Sequence, residues 1–293
     1  MTTPRHSQNL HDQTLSSWYW VAPSWCGPAA LPRPFKRGLA ALEHAGYRVR
    51  LMPNVHGQGW EWVSGTAAER TSDLMAAFVD AEVRAIICAI GGDHSAQLLP
   101  LLDMDLIAAN PTILCGYSDI TSLHHGLHRA TGLVTFYGPA VIPQWGAVGG
   151  PFDYTVDHFQ RVVGEARPPG RLPHTDVEVH DNDYDTAETT GRPLRRTPAH
   201  SRQVLRPGEG NGPLLAACLP SARNVLGTPW QPDYAGRVND FHRLVLHHVA
   251  AGGYPVLAHV EGGHTDPLPT FPIGVSTTVD GTDLILEQPA VAA

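Results

Sequence analysis

No C-x-x-C pair occurs in this chain, and its four cysteines, Cys26, Cys88, Cys115 and Cys218, are scattered. That spacing argues against a zinc ribbon or a dithiol redox centre. Cys88 and Cys115 sit inside apolar runs, where a buried reduced thiol is the expected state. No apolar run approaches the roughly 20 residues of a membrane-spanning helix, and no signal peptide is expected. Positive charge is scarce, with 20 Lys and Arg against 28 Asp and Glu, a net charge of −8. Such a balance argues against nucleic acid or a membrane surface as partner, and a cytoplasmic enzyme or binding protein is the default reading. There is no internal repeat, no low-complexity tract and no H-E-x-x-H. His124 and His128 have the i, i+4 spacing of two zinc ligands, but His125-Gly126-Leu127 stands between them, so no metal site is assigned.

What is present is a chain of 293 residues, 42% hydrophobic and 16% charged, enough for a sizeable core in one large or two modest domains. Its 17 histidines make charge sensitive to pH near neutrality. Residues 1–14 are polar and expected to fray. Residues 18–22, 47–52, 83–90, 112–115 and 133–137 read as strands. Between them, residues 35–45, 66–79, a stretch through Leu98, a stretch from Ser118 through Leu127, and 152–163 read as helices. Gly46 is placed to end the first helix, and Thr66 with Glu69 forms a capping box for the second. Strands alternating with helices at this rhythm predict a parallel sheet covered on both faces. Beyond residue 165 periodicity fades into Pro, Gly, Arg, Asp and Thr. A linker and short strands are expected, with an acidic loop at 181–190, strands at 213–219, 254–260 and 282–286, and a helix at 240–249. The fold class is therefore α/β: an N-terminal doubly wound, Rossmann-like domain over 15–166 and a smaller C-terminal α/β domain over 167–293.

Three turns carry the chemistry. Ser118 lies where the strand 112–115 turns, after Gly116, into a helix. A serine there projects beside unpaired helical N–H groups that favour a developing oxyanion, so Ser118 is either a nucleophile or, with Asp119, a helix cap. Gly91-Gly92 ends the strand 83–90. Either the glycines let backbone N–H groups approach a ligand oxygen, or they simply permit a tight turn. In an open parallel sheet both turns lie beyond strand C-terminal ends, where ligands bind. His264, in Gly262-Gly263-His264-Thr265-Asp266-Pro267, is a candidate general base or a solvated loop histidine.

Together, Ile90-Gly91-Gly92, Gly116-Tyr-Ser-Asp-Ile-Thr121, Thr135-Phe-Tyr-Gly-Pro139, Arg206-Pro-Gly208 and Gly263-His-Thr-Asp-Pro267 resemble the serine LD-carboxypeptidases, peptidase family S66. The likeness is strongest to their branch of microcin C immunity proteins. The resemblance implies a cytoplasmic, metal- and cofactor-independent serine carboxypeptidase, a homodimer, acting through a Ser-His-Glu triad. It assigns Ser118 as nucleophile, His264 as general base, and the N–H groups of Gly92 and Asp119 as the oxyanion hole. It implies small peptide or aminoacyl-nucleotide substrates: the D-alanine end of a murein tetrapeptide, or aminoacyl-sulfamoyl-adenylate conjugates. The chain departs from the pattern at the triad acid. Between Arg237 and His264 stand 264 − 237 − 1 = 26 residues. One helix and one strand fill most of that, so the strand that carries the family glutamate is missing and the C-terminal domain is shortened. Glu261 is the first substitute, ahead of Asp266 and Asp240. Leu215-Ala-Ala-Cys-Leu219 also replaces a pattern resembling Gly-Gly-Asn-Leu on the substrate side. The alternative is an impaired homologue that binds peptide or nucleotide conjugates without efficient turnover.

Overall fold

The computed structural model describes residues 5–7, 17–57, 62–179, 189–232 and 255–292. Its main sheet is built from β1 (Ser17–Val21), β2 (Arg48–Leu51), β3 (Val83–Cys88), β4 (Ile113–Gly116) and β5 (Phe136–Tyr137). These run parallel in the order β2-β1-β3-β4-β5, and β12 (Phe271–Pro272) pairs antiparallel with β5 at the edge. The chain passes from β1 outward to β2 and then back to β3 on the other side of β1. The β1–β3 boundary is thus a topological switch point, where an open α/β sheet leaves a crevice beyond its strand ends.

Helices α1 (Gly27–Ala30), α2 (Pro32–His44), α3 (Ala67–Val79), α4 (Met104–Ala109), α5 (Thr121–Thr131) and α6 (Asp153–Gly164) connect and cover the strands. Burial on both faces explains the apolar run 85–88 of β3, whose four residues, Ala85, Ile86, Ile87 and Cys88, are fully buried. The expected capping box on α3 is formed: Thr66 Oγ1 accepts from the Glu69 N–H, and the Glu69 carboxylate accepts from the Thr66 N–H. Gly46, with φ +93°, follows α2 in the left-handed region.

The second half is a set of small antiparallel sheets. Strands β10 (Glu209–Pro213), β13 (Ser276–Asp280), β14 (Asp283–Leu286) and β6 (Gly170–Arg171) form one, in that order. β11 (Val256–Ala258) pairs with β9 (Gln203–Arg206), and β7 (Val177–Glu178) pairs with β8 (Thr197–Pro198).

Four local expectations are corrected. Residues 5–7 are tied down rather than frayed. The Arg5 N–H donates to the Gly132 carbonyl, and Arg5 O accepts from the Val134 N–H, because an open backbone edge lies there to be paired. The stretch through Leu98 is a tighter 3-10 segment, Ser95–Leu101, with Pro100 inside it. The 133–137 strand contracts to Phe136–Tyr137. Residues 213–219 do not form a strand. β10 ends at Pro213, and α5 captures the residues after it: Cys218 N–H donates to Thr121 Oγ1, His125 Nε2–H to Ala216 O, and Ser122 Oγ–H to Ser221 O. A short helix α7 (Leu219–Ala222) then begins. The expected helix at 240–249 lies outside the described residues, as does most of the acidic loop at 181–190.

Candidate active site

Ser118 occupies the turn from β4 to a 3-10 turn at Ser118–Ile120 that leads into α5. Its φ is +60°, a conformation that costs a non-glycine residue about 1–2 kcal/mol. Backbone strain at a sharp strand-to-helix turn is how a serine hydroxyl is lifted clear of a sheet. The neighbours are correspondingly small. A Cβ on Gly91 would stand 2.9 Å from Ser118 Cβ, and one on Gly116 would stand 2.9 Å from Cys88 Cβ. Gly116 is also held from below, where buried His124 donates its Nε2–H to the Gly116 carbonyl at 2.8 Å. Burial pushes the His124 pKa down to about 3, so the ring is neutral and donates from Nε2. His128 donates to Leu133 O, so this pair of histidines binds carbonyls of the fold.

His264 arrives on the loop after β11, and its Nε2 lies 2.8 Å from Ser118 Oγ. The residues are 146 positions apart in sequence and meet at the crevice. The Tyr117 ring stands 5.7 Å from the His264 ring, and the Gln144 amide reaches the Tyr117 hydroxyl from behind. His264 is exposed at the mouth of the crevice, and the desolvation it does undergo lowers its pKa, with no carboxylate opposing the shift. Among the described residues its ring makes no hydrogen bond to a carboxylate. Glu261 is not brought to His264. Its carboxylate accepts from Arg202 Nε at 2.7 Å and from Arg202 Nη2, with His174 Nδ1 3.5 Å away. Asp266 is turned inward. It is 1% exposed, and neither carboxyl oxygen completes a hydrogen bond of good geometry. Burial raises its pKa to about 7, tempered by the nearby Gln144 amide. Asp240 lies outside the described residues.

Gly92 sits beside the serine turn with φ +145°. None of the loop hydrogen bonds among the described residues uses the N–H of Gly92 or Asp119. Two further side chains hold this region, and sequence reading missed one of them, Arg70. Arg70, 2% exposed, donates to Gly65 O, Pro23 O, His94 O and Gln97 Oε1, and so ties together the loops after β1 and β3. Asp119, fully buried, accepts the Ser95 N–H at 2.8 Å through Oδ2 and the Ser95 hydroxyl at 2.7 Å through its carbonyl. Only Asp119 carried a sequence signal, as a residue of the turn. Arg70 reads as an ordinary charge on an amphipathic helix. Tyr137, from β5, lies beneath, and its hydroxyl approaches the Ser118 backbone without completing a well-formed hydrogen bond.

The sequence profile of the LD-carboxypeptidase N-terminal domain matches residues 19–138, the segment that carries both turns. The putative carboxypeptidase YocD of Bacillus subtilis is 30% identical, over 82% of this chain and 86% of its own length. The chain belongs to the LD-carboxypeptidase family. That membership makes it a hydrolase of the carboxypeptidase kind. Within the family, the microcin C7 self-immunity protein MccF of Escherichia coli is 31% identical over 68% of this chain, and the match spans 58% of that protein's length. Solved structures of MccF share the fold at 22% identity, covering 99% of this chain. Their TM-scores are 0.89 for the free form and 0.88 for complexes with aspartyl sulfamoyl adenosine and glutamyl sulfamoyl guanosine. No helix among the described residues is long and apolar enough to cross a membrane.

Proposed function

We propose that this family member is a serine carboxypeptidase whose working pair is Ser118 and His264, acting on a small peptide or an aminoacyl-nucleotide conjugate. The observation that carries the reading is the 2.8 Å contact between Ser118 Oγ and His264 Nε2, made at a strained turn. In this mechanism His264 Nε2 takes the hydroxyl proton as Ser118 Oγ attacks the acyl carbon. The N–H groups of Gly92 and Asp119 receive the oxyanion. Collapse breaks the acyl–nitrogen bond, and His264 returns the proton to the leaving group. Water then adds to the acyl-enzyme, giving its proton to His264, and Ser118 is released. The reading divides the chain near residue 167 into a nucleophile domain and a histidine domain, and takes a homodimer as the family form.

The acid is the weak member. Glu261 is engaged by Arg202, where it anchors the loop that presents His264 rather than orienting the imidazole. In a serine triad, disabling the acid costs about ten-thousandfold in kcat and leaves measurable catalysis. The favoured form of the proposal is therefore a slow enzyme. The second reading, a binder without useful turnover, draws on the same observation. A fluorophosphonate reagent separates them: covalent labelling of the parent and none of Ser118→Ala is expected. A parent that is neither labelled nor active on D-amino-acid-terminated peptides or acyl-sulfamoyl adenylates would leave the binder.

A further inference from the structure

A cavity of about 410 Å³ opens beside the loop that presents His264. Gly263 and Thr265, the residues flanking His264, both line it, as does Tyr137 beneath Ser118. Neither Ser118 nor His264 lines it, so it adjoins the pair through the loop that presents His264. Apolar side chains make up much of its wall: Leu214, Leu215, Leu257, Phe271, Val279 and Leu284. One wall is fixed before any ligand arrives, because Leu214 N–H donates to Val275 O, His125 to Ala216 O, and Cys218 N–H to Thr121 Oγ1.

The charges around it are of one sign. Glu178, Glu261 and Asp266 line the cavity, and among the described residues no lysine or arginine does. The Glu261 charge is answered by Arg202, whose side chain is wholly buried behind it, and Glu178 is paired with His200. Among the described lining residues no lysine or arginine stands ready to receive a carboxylate, and burying an unpaired carboxylate is strongly unfavourable.

We infer that this cavity is the specificity pocket for an apolar, uncharged side chain next to the scissile bond, and that it rejects an acidic one. The inference rests on the serine-hydrolase reading and narrows its substrate class. The preference departs from the aspartyl and glutamyl conjugates seen with MccF. Each methylene that enters an apolar pocket favours binding by about 0.8 kcal/mol, close to fourfold.

The test uses the purified protein and aminoacyl esters carrying alanine, norvaline, leucine, phenylalanine, aspartate or glutamate at the acyl position. The expected result is a kcat/KM that rises about fourfold per methylene, with leucine at least about a hundredfold above aspartate. Ala216→Phe, which fills the cavity, should flatten the series, with the alanine ester losing least and the leucine and phenylalanine esters losing most; Ala216→Leu serves if the larger residue does not fold. Equal rates across the series, or a preference for aspartate, overturns the inference. Alkyl fluorophosphonates of increasing chain length distinguish the two claims. Labelling that ignores chain length keeps the serine reading and sinks the pocket, whereas no labelling at all sinks the serine reading. In that event calorimetric binding of N-acetyl-leucinamide against N-acetyl-aspartate amide to the Ser118→Ala protein decides the pocket. Preference for leucinamide upholds it, and equal or absent binding overturns it.

Discussion

Replacing Gly92 by alanine should separate the chemistry of the site from its architecture. Gly92 holds φ at +145°, a region left to glycine, and a side chain held there costs about 1–3 kcal/mol. The added Cβ would stand 2.4 Å from Ser24 Oγ and 2.8 Å from the Trp25 backbone nitrogen. Neither neighbour yields freely. Ser24 Oγ accepts the His94 N–H at 2.9 Å, and the Trp25 N–H donates to Gly91 O at 3.1 Å. Displacing Ser24 would orphan the His94 N–H, at about 1–3 kcal/mol. The combined loss is about 2–6 kcal/mol, within the 5–15 kcal/mol that a typical fold can draw on, so a weakened but folded protein is expected. On the reading of Gly92 as an oxyanion donor, kcat should fall about a hundred- to a thousandfold with little change in KM. Denaturant unfolding gives the first quantity, and ester turnover or fluorophosphonate labelling gives the second. Gly46→Ala is the control, because its φ is +93° and a Cβ there meets nothing within 4 Å. It should cost about 1–2 kcal/mol and leave kcat unchanged. A folded Gly92→Ala protein with kcat within about threefold of the parent would refute the assignment.

Relieving the strain at the nucleophile should be visible as stability. Ser118→Gly should unfold about 0.5–1 kcal/mol harder than Ser118→Ala, since both lack the hydroxyl and only glycine is at ease at φ +60°; equal stabilities would mean the turn stores no strain. The pH–rate profile should report the base alone. Desolvation lowers the His264 pKa and among the described residues no carboxylate faces the ring, so the acid limb of kcat/KM should fall below about pH 6.5. A midpoint above that range would betray a carboxylate at the imidazole. Asp266, its pKa raised to about 7, binds a proton in the fold that the unfolded chain has released, so its contribution is present below about pH 4 and is lost as pH rises to about 7. Asp266→Asn should therefore gain on the parent in denaturant unfolding as pH rises from about 4 to 7, by up to about 1.4 kcal/mol per pH unit, and a pH-independent difference would sink this. His124 and His158, buried neutral with pKa values of about 3, act in the opposite sense in both proteins, weakening the fold as pH falls below about 6.5.

The sequence by itself determined the parallel sheet and its turns. The alternation of apolar strands with amphipathic helices is local information, and so are Gly46 after α2, the Thr66–Glu69 box on α3, and the glycines around Ser118. The turn positions of Ser118 and His264 were legible from the glycines beside them, and the resemblance to the LD-carboxypeptidases singled the two residues out. What the sequence could not fix were contacts set by distant segments. Residues 213–219 have the composition of a strand, yet α5 takes up their hydrogen-bonding groups from some 90 positions away or more. Glu261 is the nearest carboxylate upstream of His264, but Arg202, 59 positions upstream, captures its carboxylate, and a guanidinium fork outcompetes a neutral imidazole for that charge. Arg70 carries no signal in the sequence, and its role appears only where the loops after β1 and β3 close over it and give its guanidinium four acceptors. Spacing along a chain fixes which groups share a turn or a face. Which charged group wins a partner is decided only when the tertiary fold sets their distances and takes away the water.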